Sequence, residues 1–377
     1  MRPFINKQRL IDEFCSLARI KSPSSREDEI SEFLIKRLKQ LKFAIKKDSY
    51  GNIIARLNGS GKPLVLCAHM DTVPIGKGNE IKPVVKGNRI TSDGSTILGA
   101  DNKDSIAAIL EAVMVITENK LVHRAVEVVF TKEEEEISKG AKNLDLSLLD
   151  GKECIISDMA EPYGLITVSA PYCFKFEVKV KGRRSHVKEP EKGINALSII
   201  AEAVSNIPLG RVDSLTTSNI AYAVSGLDGV ITDKNLGSLE AECRNTVPDL
   251  GIILGEVRGA DIKKVQATLA AIEMHFSSAA KHFGGESLFS CEKLADGYLF
   301  NPNNPLISMI SDIFRMQGLK PKMFNSTGGS DANILNGRGL KSIVISSAHM
   351  ENHKTTEYVV ISDLIKLADF YVRLLTK

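Results

Sequence analysis

Histidines and carboxylates in this chain fall repeatedly where an apolar run stops. Leu64-Val-Leu-Cys-Ala-His69-Met-Asp71 ends in a histidine and an aspartate two residues apart. Glu134 and Glu135 follow Val126-Glu-Val-Val-Phe-Thr131, Asp158 follows Cys154-Ile-Ile-Ser157, and His353 lies beyond Ser342-Ile-Val-Ile-Ser346. Each run reads as a strand, and the carboxyl ends of strands are where α/β sheets bind ligands. With Asp101, in Leu98-Gly-Ala-Asp101-Asn-Lys103, the set supplies two imidazoles and several carboxylates. Those are the donors of a two-metal hydrolytic site.

The elements that must position these groups are legible from periodicity. Ile30, Phe33, Leu34, Leu38 and Leu41 recur at helical spacing, which predicts a helix with Ser24-Ser25 as its cap. Ile106, Ala107, Ile109, Leu110, Val113 and Ile116 predict a largely buried helix opened by the loop that carries Asp101. Strands alternating with helices imply an α/β fold, a mostly parallel sheet with helices on both faces. After Gly164 the texture changes. Phe174-Lys-Phe-Glu-Val-Lys-Val-Lys181 alternates with period two, the pattern of an antiparallel strand with one wet face and, here, of a sheet edge suited to pairing between subunits. With helices expected over 194–205 and 261–282, this predicts a smaller inserted α+β domain, residues 173–292, between the two parts of the first domain, 1–172 and 293–377.

Composition narrows the function classes. The chain has 377 residues, 43% hydrophobic and 25% charged, enough for two domains with ordinary cores. Lys+Arg of 49 against Asp+Glu of 46 leaves +3, and no basic block is interleaved with aromatics, so neither nucleic acid nor an anionic membrane is an expected partner. The charged start and the absence of any membrane-length apolar run lead to the expectation of a cytoplasmic protein. The six cysteines lack a C-x-x-C pair and read as reduced, buried thiols.

His69-x-Asp71 alone describes a histidine satisfied by its neighbour as well as it describes a ligand with a tuning partner. The ordered motifs decide between them: His69-Met-Asp-Thr-Val, Gly99-Ala-Asp-Asn-Lys, Phe130-Thr-Lys-Glu-Glu-Glu-Glu136, Ser157-Asp158, Glu189-Pro-Glu-Lys-Gly-Ile-Asn195, Gly328-Gly-Ser-Asp-Ala-Asn333 and His353-Lys-Thr-Thr-Glu-Tyr358. On these the chain resembles, over nearly its whole length, the di-zinc exopeptidase family of peptidase T, glutamate carboxypeptidase and the aminoacylases. Its peptidase T-like tripeptidase branch is the most similar.

That resemblance implies two Zn2+ ions, or other divalent ions such as Co2+ or Mn2+. Asp101 would bridge them, His69 and Asp158 would complete one site, and Glu135 and His353 the other. Asp71 would tune His69 and Glu134 would be the general base; the register shifted by one, Glu135 as base and Glu136 as ligand, stays open. His349 and His123 compete with His353 for the last ligand position, and His349 is expected near the site without ligating. The inserted domain would mediate a homodimer and supply His186, a donor to the substrate carbonyl, while Arg244 would bind the substrate carboxylate. Gly329 and Ser330 would shape the pocket with backbone N–H groups.

Departures from the resemblance bear on specificity. Leu227-Asp-Gly-Val-Ile-Thr-Asp233 lacks the asparagine that the branch carries there, Val187-Lys188 replaces small residues, and Asn102 replaces the more usual aspartate. The activity implied is hydrolysis of the N-terminal amide bond of short peptides. A carboxypeptidase or N-acyl amino acid deacylase on the same scaffold is the alternative, and a non-catalytic binding protein retaining the fold is a second.

Overall fold

The computed structural model describes residues 5–230 and 244–376. Its chain divides into two compact units, Met1–Ser169 with Phe300–Lys377, and Ala170–Leu299.

The larger unit is built on four adjacent parallel strands, in the spatial order Arg124–Thr131, Ser60–His69, Glu153–Ser157 and Lys341–Ile345. These are the apolar runs that end in His, Asp and Glu. Their side chains are buried along nearly the whole paired length, which is why they read as continuous rather than alternating hydrophobic stretches. The registers His69↔Thr131, Cys67↔Ile156 and Ser157↔Ile345 bring all four carboxyl ends to one edge. Antiparallel strands Ile53–Leu57 and Ala44–Lys47 extend one side, and Leu165–Ala170 with Lys322–Asn325 the other.

Helix Lys103–Glu118 is buried on almost every face and packs against Lys7–Arg19 and Ile361–Thr376. Leu110, Phe14, Leu17 and Phe370 belong to one continuous core with the sheet. Truncating a side chain such as Leu110 to alanine there should cost about 2–5 kcal/mol. This rigidity matters to the site because Asp101 lies just ahead of that helix.

One local expectation is overturned. Ser24 and Ser25 do not cap the following helix, which runs Asp28–Gln40 with Glu27 at its N-cap and no side-chain cap bond. Instead Ser24 Oγ donates to Asp71 Oδ2 at 2.7 Å and Ser25 Oγ to Glu133 Oε1 at 3.1 Å. The serines bind the strand-end loops rather than the helix.

Among the described residues the smaller unit is built on a five-stranded antiparallel sheet, ordered Gly210–Asp213, Thr216–Gly226, Leu250–Gly259, Tyr172–Lys181, Glu286–Ala295. Phe176, Val178 and Val180 point into a core shared with helices Ala196–Asn206 and Ile262–Phe283, while Lys175 and Glu177 are exposed. The period-two pattern therefore reports one wet face. It does not mark an edge: Tyr172–Lys181 pairs on both sides, and the outer strands are Gly210–Asp213 and Glu286–Ala295. A boundary at 292 would divide the last of these, and the compact unit extends to Leu299. Cys15, Cys67, Cys154 and Cys173 are buried free thiols, Cys291 is free and exposed, and Cys243 lies outside the described residues. Among the described residues no helix is long and apolar enough to cross a membrane.

Candidate metal centre

Asp101 stands at the middle of the carboxyl edge, with one side-chain oxygen toward each of two histidines. Its Oδ1 is 3.0 Å from His69 Nε2 and its Oδ2 is 3.5 Å from His353 Nε2. Each histidine faces a further carboxylate: His69 Nε2 is 3.6 Å from Asp158 Oδ1, and His353 Nε2 is 2.8 Å from Glu135 Oε1. The ligand-type atoms of His69, Asp101 and Glu135 lie within 4.8 Å of one another, as do those of Asp101, Asp158 and His349. Imidazole nitrogen with carboxylate oxygen is the donor chemistry of zinc and related divalent ions, so these side chains fit a metal pair.

Local chain geometry explains why these groups meet. The Asp101 loop is held by Glu357, whose carboxylate accepts N–H bonds from Gly99, Ala100 and Asp101 at 2.7, 2.9 and 3.2 Å. Asn352 Nδ2 donates to Asp101 Oδ2 at 2.7 Å. Asn102, the departure noted in the sequence, donates from Nδ2 to Ser157 O at 2.8 Å and Asp158 Oδ1 at 2.5 Å. An ionised aspartate could not make either bond, because it has no donor. His353 itself has φ +64, a conformation that costs a non-glycine residue about 1–3 kcal/mol and survives where the surroundings enforce it.

Asp71 organises the glutamate loop. Its Oδ1 accepts from Glu134 N at 2.9 Å and its Oδ2 from Glu135 N at 3.2 Å, while His69 Nδ1 lies 3.3 Å from the same carboxylate and 3.0 Å from the Asp71 carbonyl. The loop closes where Gly140 N–H donates to Lys132 O, and a Cβ at Gly140 would sit 2.1 Å from that oxygen. Only glycine permits this approach. Glu135 thereby faces His353, and half-buried Glu134 accepts from Ser138 Oγ at 3.3 Å. Glu133 instead accepts from Tyr50 and Ser25, and exposed Glu136 pairs with Lys139.

The electrostatics separate the groups. Burial would raise the Asp101 carboxyl, but His349, His353 and His69 outweigh it and hold it well below the usual range. Burial followed by Asp101 pushes Asp158 up. Burial also lifts Glu134 well above an ordinary glutamate, helped by Asp158, Asp331 and Glu135 and opposed by His69. Hydrogen bonds to Asp101 and then Glu135 raise His353 to about 10. Packed carboxylates whose neutralisation falls on shared histidines are an environment that a cation would relieve.

Other expected residues are placed differently. His349 is buried beside Asp104, and His123 precedes its strand, at the end opposite the site. Ser330 is committed to the helix Asp331–Gly337: its Oγ accepts from Ala332 N at 3.3 Å and its N–H donates to Asn333 Oδ1 at 3.1 Å. Gly328 N–H donates to Ser326 Oγ, which leaves the pocket-donor expectation with Gly329. In the smaller unit His186 and Arg244 are exposed; His186 pairs with Thr246 across a short bridge, two residues from Arg244. Part of the Leu227–Asp233 stretch, residues 231–233, lies outside the described residues. His275 is partly exposed and His282 exposed, the latter 2.9 Å from Glu202.

The model of Peptidase family M20/M25/M40 matches residues 65–377. The uncharacterized protein YqjE of Bacillus subtilis (strain 168) is 31% identical over 382 residues, covering 98% of each chain. Among solved structures, aminopeptidase PepT from Bacillus cereus ATCC 10987 superposes with TM-score 0.90 at 31% identity, over 99% of this chain and 98% of that one. A tripeptidase from Staphylococcus aureus subsp. aureus Mu50 gives 0.88 at 30% identity, over 99% and 98%.

Proposed function

The chain belongs to peptidase family M20/M25/M40 and is a peptidase T-like hydrolase, and from that premise we propose that it removes the N-terminal residue of short peptides using two divalent cations. The observation that carries this reading is the two-armed arrangement about Asp101, with His69 and Asp158 on one side and His353 and Glu135 on the other. The likeness to an aminopeptidase and a tripeptidase supports the aminopeptidase direction.

His69, Asp101 and Asp158 would hold one ion, and Asp101, Glu135 and His353 the other. Bound there, zinc-type ions supply Lewis acidity to the scissile carbonyl and to a water. Glu134 takes a proton from the attacking water and delivers it to the departing amine as the C–N bond breaks, a role suited by its raised pKa. Asp71 keeps Glu134 and Glu135 in register through their N–H groups and faces the imidazole of His69. His186 would donate to the carbonyl oxygen as it gains charge, and Arg244 would pair with the peptide carboxylate. We place homodimerisation on the smaller unit, where Glu286–Ala295 is an outer strand among the described residues and presents exposed Leu288.

A panel of tripeptides with free or blocked amino termini, run with metal analysis, tests the reading. Cleavage confined to free amino termini, with two ions per chain, is expected. Preference for blocked termini transfers the assignment to a deacylase, and release of the C-terminal residue to a carboxypeptidase.

A further inference from the structure

The loop that carries Glu134 and Glu135 adopts a shape that its own residues oppose. Glu133, Ile137 and Ser138 have φ of +49, +62 and +51, the left-handed region in which side chains other than glycine are strained. Ile137 is β-branched and 58% exposed, so packing of its side chain does not hold it there. Geometry of this kind persists only where the surroundings enforce it.

Asp71 grips the middle of the loop, and the turn at residues 48–52 grips its ends. Ile53 pairs with Phe130, so Asn52 stands level with the point at which the loop leaves its strand. Asn52 is fully buried; its Oδ1 accepts from Lys132 N at 3.0 Å and its Nδ2 donates to Gly140 O at 3.1 Å. The same Nδ2 donates to Asp48 Oδ2 at 2.8 Å, and Asp48 Oδ1 accepts from the N–H groups of Tyr50, Gly51 and Asn52 at 3.0, 2.9 and 3.0 Å. Tyr50 OH, from the same turn, donates to Glu133 Oε2 at 2.8 Å. These partners call for an amide, since one N–H must be accepted and two oxygens must receive a donor. A carboxylate would lack the donors, and an aliphatic chain would leave buried N–H and C=O groups unpaired.

We propose that Asn52, oriented by Asp48, is a positioning residue that clamps both ends of this loop and so sets how Glu134 and Glu135 face the centre. The inference rests on the roles given to those two glutamates above. Asn52 acts through the backbone: fixing both ends of a short, strained loop limits the paths open to its middle.

Hydrogen exchange on metal-free protein and zinc titration against a chromophoric chelator test this, with Leu17→Ala as a control for plain loss of core stability. In Asn52→Ala the amides of Ser138, Lys139 and Gly140, bonded to Glu134 O, Glu133 O and Lys132 O, should exchange about 10–100-fold faster than in Leu17→Ala. One zinc affinity, that of the Glu135 side, should weaken by about 10–100-fold while the other holds. Asp48→Asn should move both readouts in the same direction by less, and it decides the matter should Asn52→Ala fail to fold. Exchange and affinities that match those of Leu17→Ala would overturn the proposal. So would faster exchange with both affinities unchanged, which leaves Asn52 a support of the fold alone. Wild type binding fewer than two ions would instead remove the two-cation reading, and the exchange measurement then decides whether the clamp exists.

Discussion

The carboxyl edge of the parallel sheet and the exposed loops of the smaller unit both carry residues expected to do chemistry, yet they are built differently. At the edge, Asp101, Asp71 and Asp158 each touch several partners from separate strands and loops, so position is over-determined. In the smaller unit His186 is exposed, with its Nδ1 accepting from Lys188 N at 3.1 Å, and Arg244 is exposed in a turn. The contrast separates two tasks. Cation holding and proton transfer need fixed geometry, whereas groups that engage a variable peptide can remain solvated until it arrives.

Substitutions can break this comparison. Asp101→Ala should have the largest effect, removing a donor from both ions: metal content should fall below stoichiometric and activity should vanish. Stoichiometric zinc at unchanged affinity in that variant would remove the bridging assignment. His186→Ala should cost about 10²–10³ in kcat, the range for a lost donor to a developing oxyanion, with zinc content unchanged. Mixing His186→Ala chains with Glu134→Gln chains should restore part of the activity if the histidine acts across a dimer. No recovery after verified chain exchange assigns it to its own chain. Asp71→Asn should lower activity by about 10–100-fold through loss of orientation, since the Glu134 and Glu135 N–H groups would face a weaker acceptor.

The smallest effect is on stability without metal. His353 rises from 6.5 to about 10 through Asp101 and Glu135, so its contribution to the metal-free fold is full below about pH 6.5 and lost as pH rises through about 10. Calorimetry in chelator should show a melting temperature that falls over this window, and His353→Phe should flatten the slope. Half exposure of the ring keeps the effect modest.

Much of this architecture was legible in the sequence because it depends on runs of neighbouring residues. Apolar runs ending in His69, Glu134-Glu135 and Asp158 are local patterns, and parallel pairing then delivers their ends to one edge. Contacts between distant segments left no such mark. Ser24 precedes a helical periodicity and looks like a cap, but its hydroxyl is satisfied by Asp71 on another strand end. In the sequence Glu357 is only a member of the motif that begins at His353; its three bonds to the Asp101 loop join segments more than 250 residues apart. Its position four residues after His353 was the available signal. Asn352 and Asp104 carried no comparable cue. Alternation over 174–181 suggests an edge but reports only one wet face, which inner and outer antiparallel strands share.

The division of labour between adjacent glutamates is the centre of the account, and zinc content measured beside turnover in Glu134→Gln and Glu135→Gln tests it most directly. Glu134→Gln should retain two ions while kcat falls by about two to four orders of magnitude, because the amide cannot take the water's proton. Glu135→Gln should lose affinity for one ion and regain part of its activity at high zinc. A metal-retaining, inactive Glu135→Gln would contradict the account and move the base to Glu135 and the ligand to Glu136.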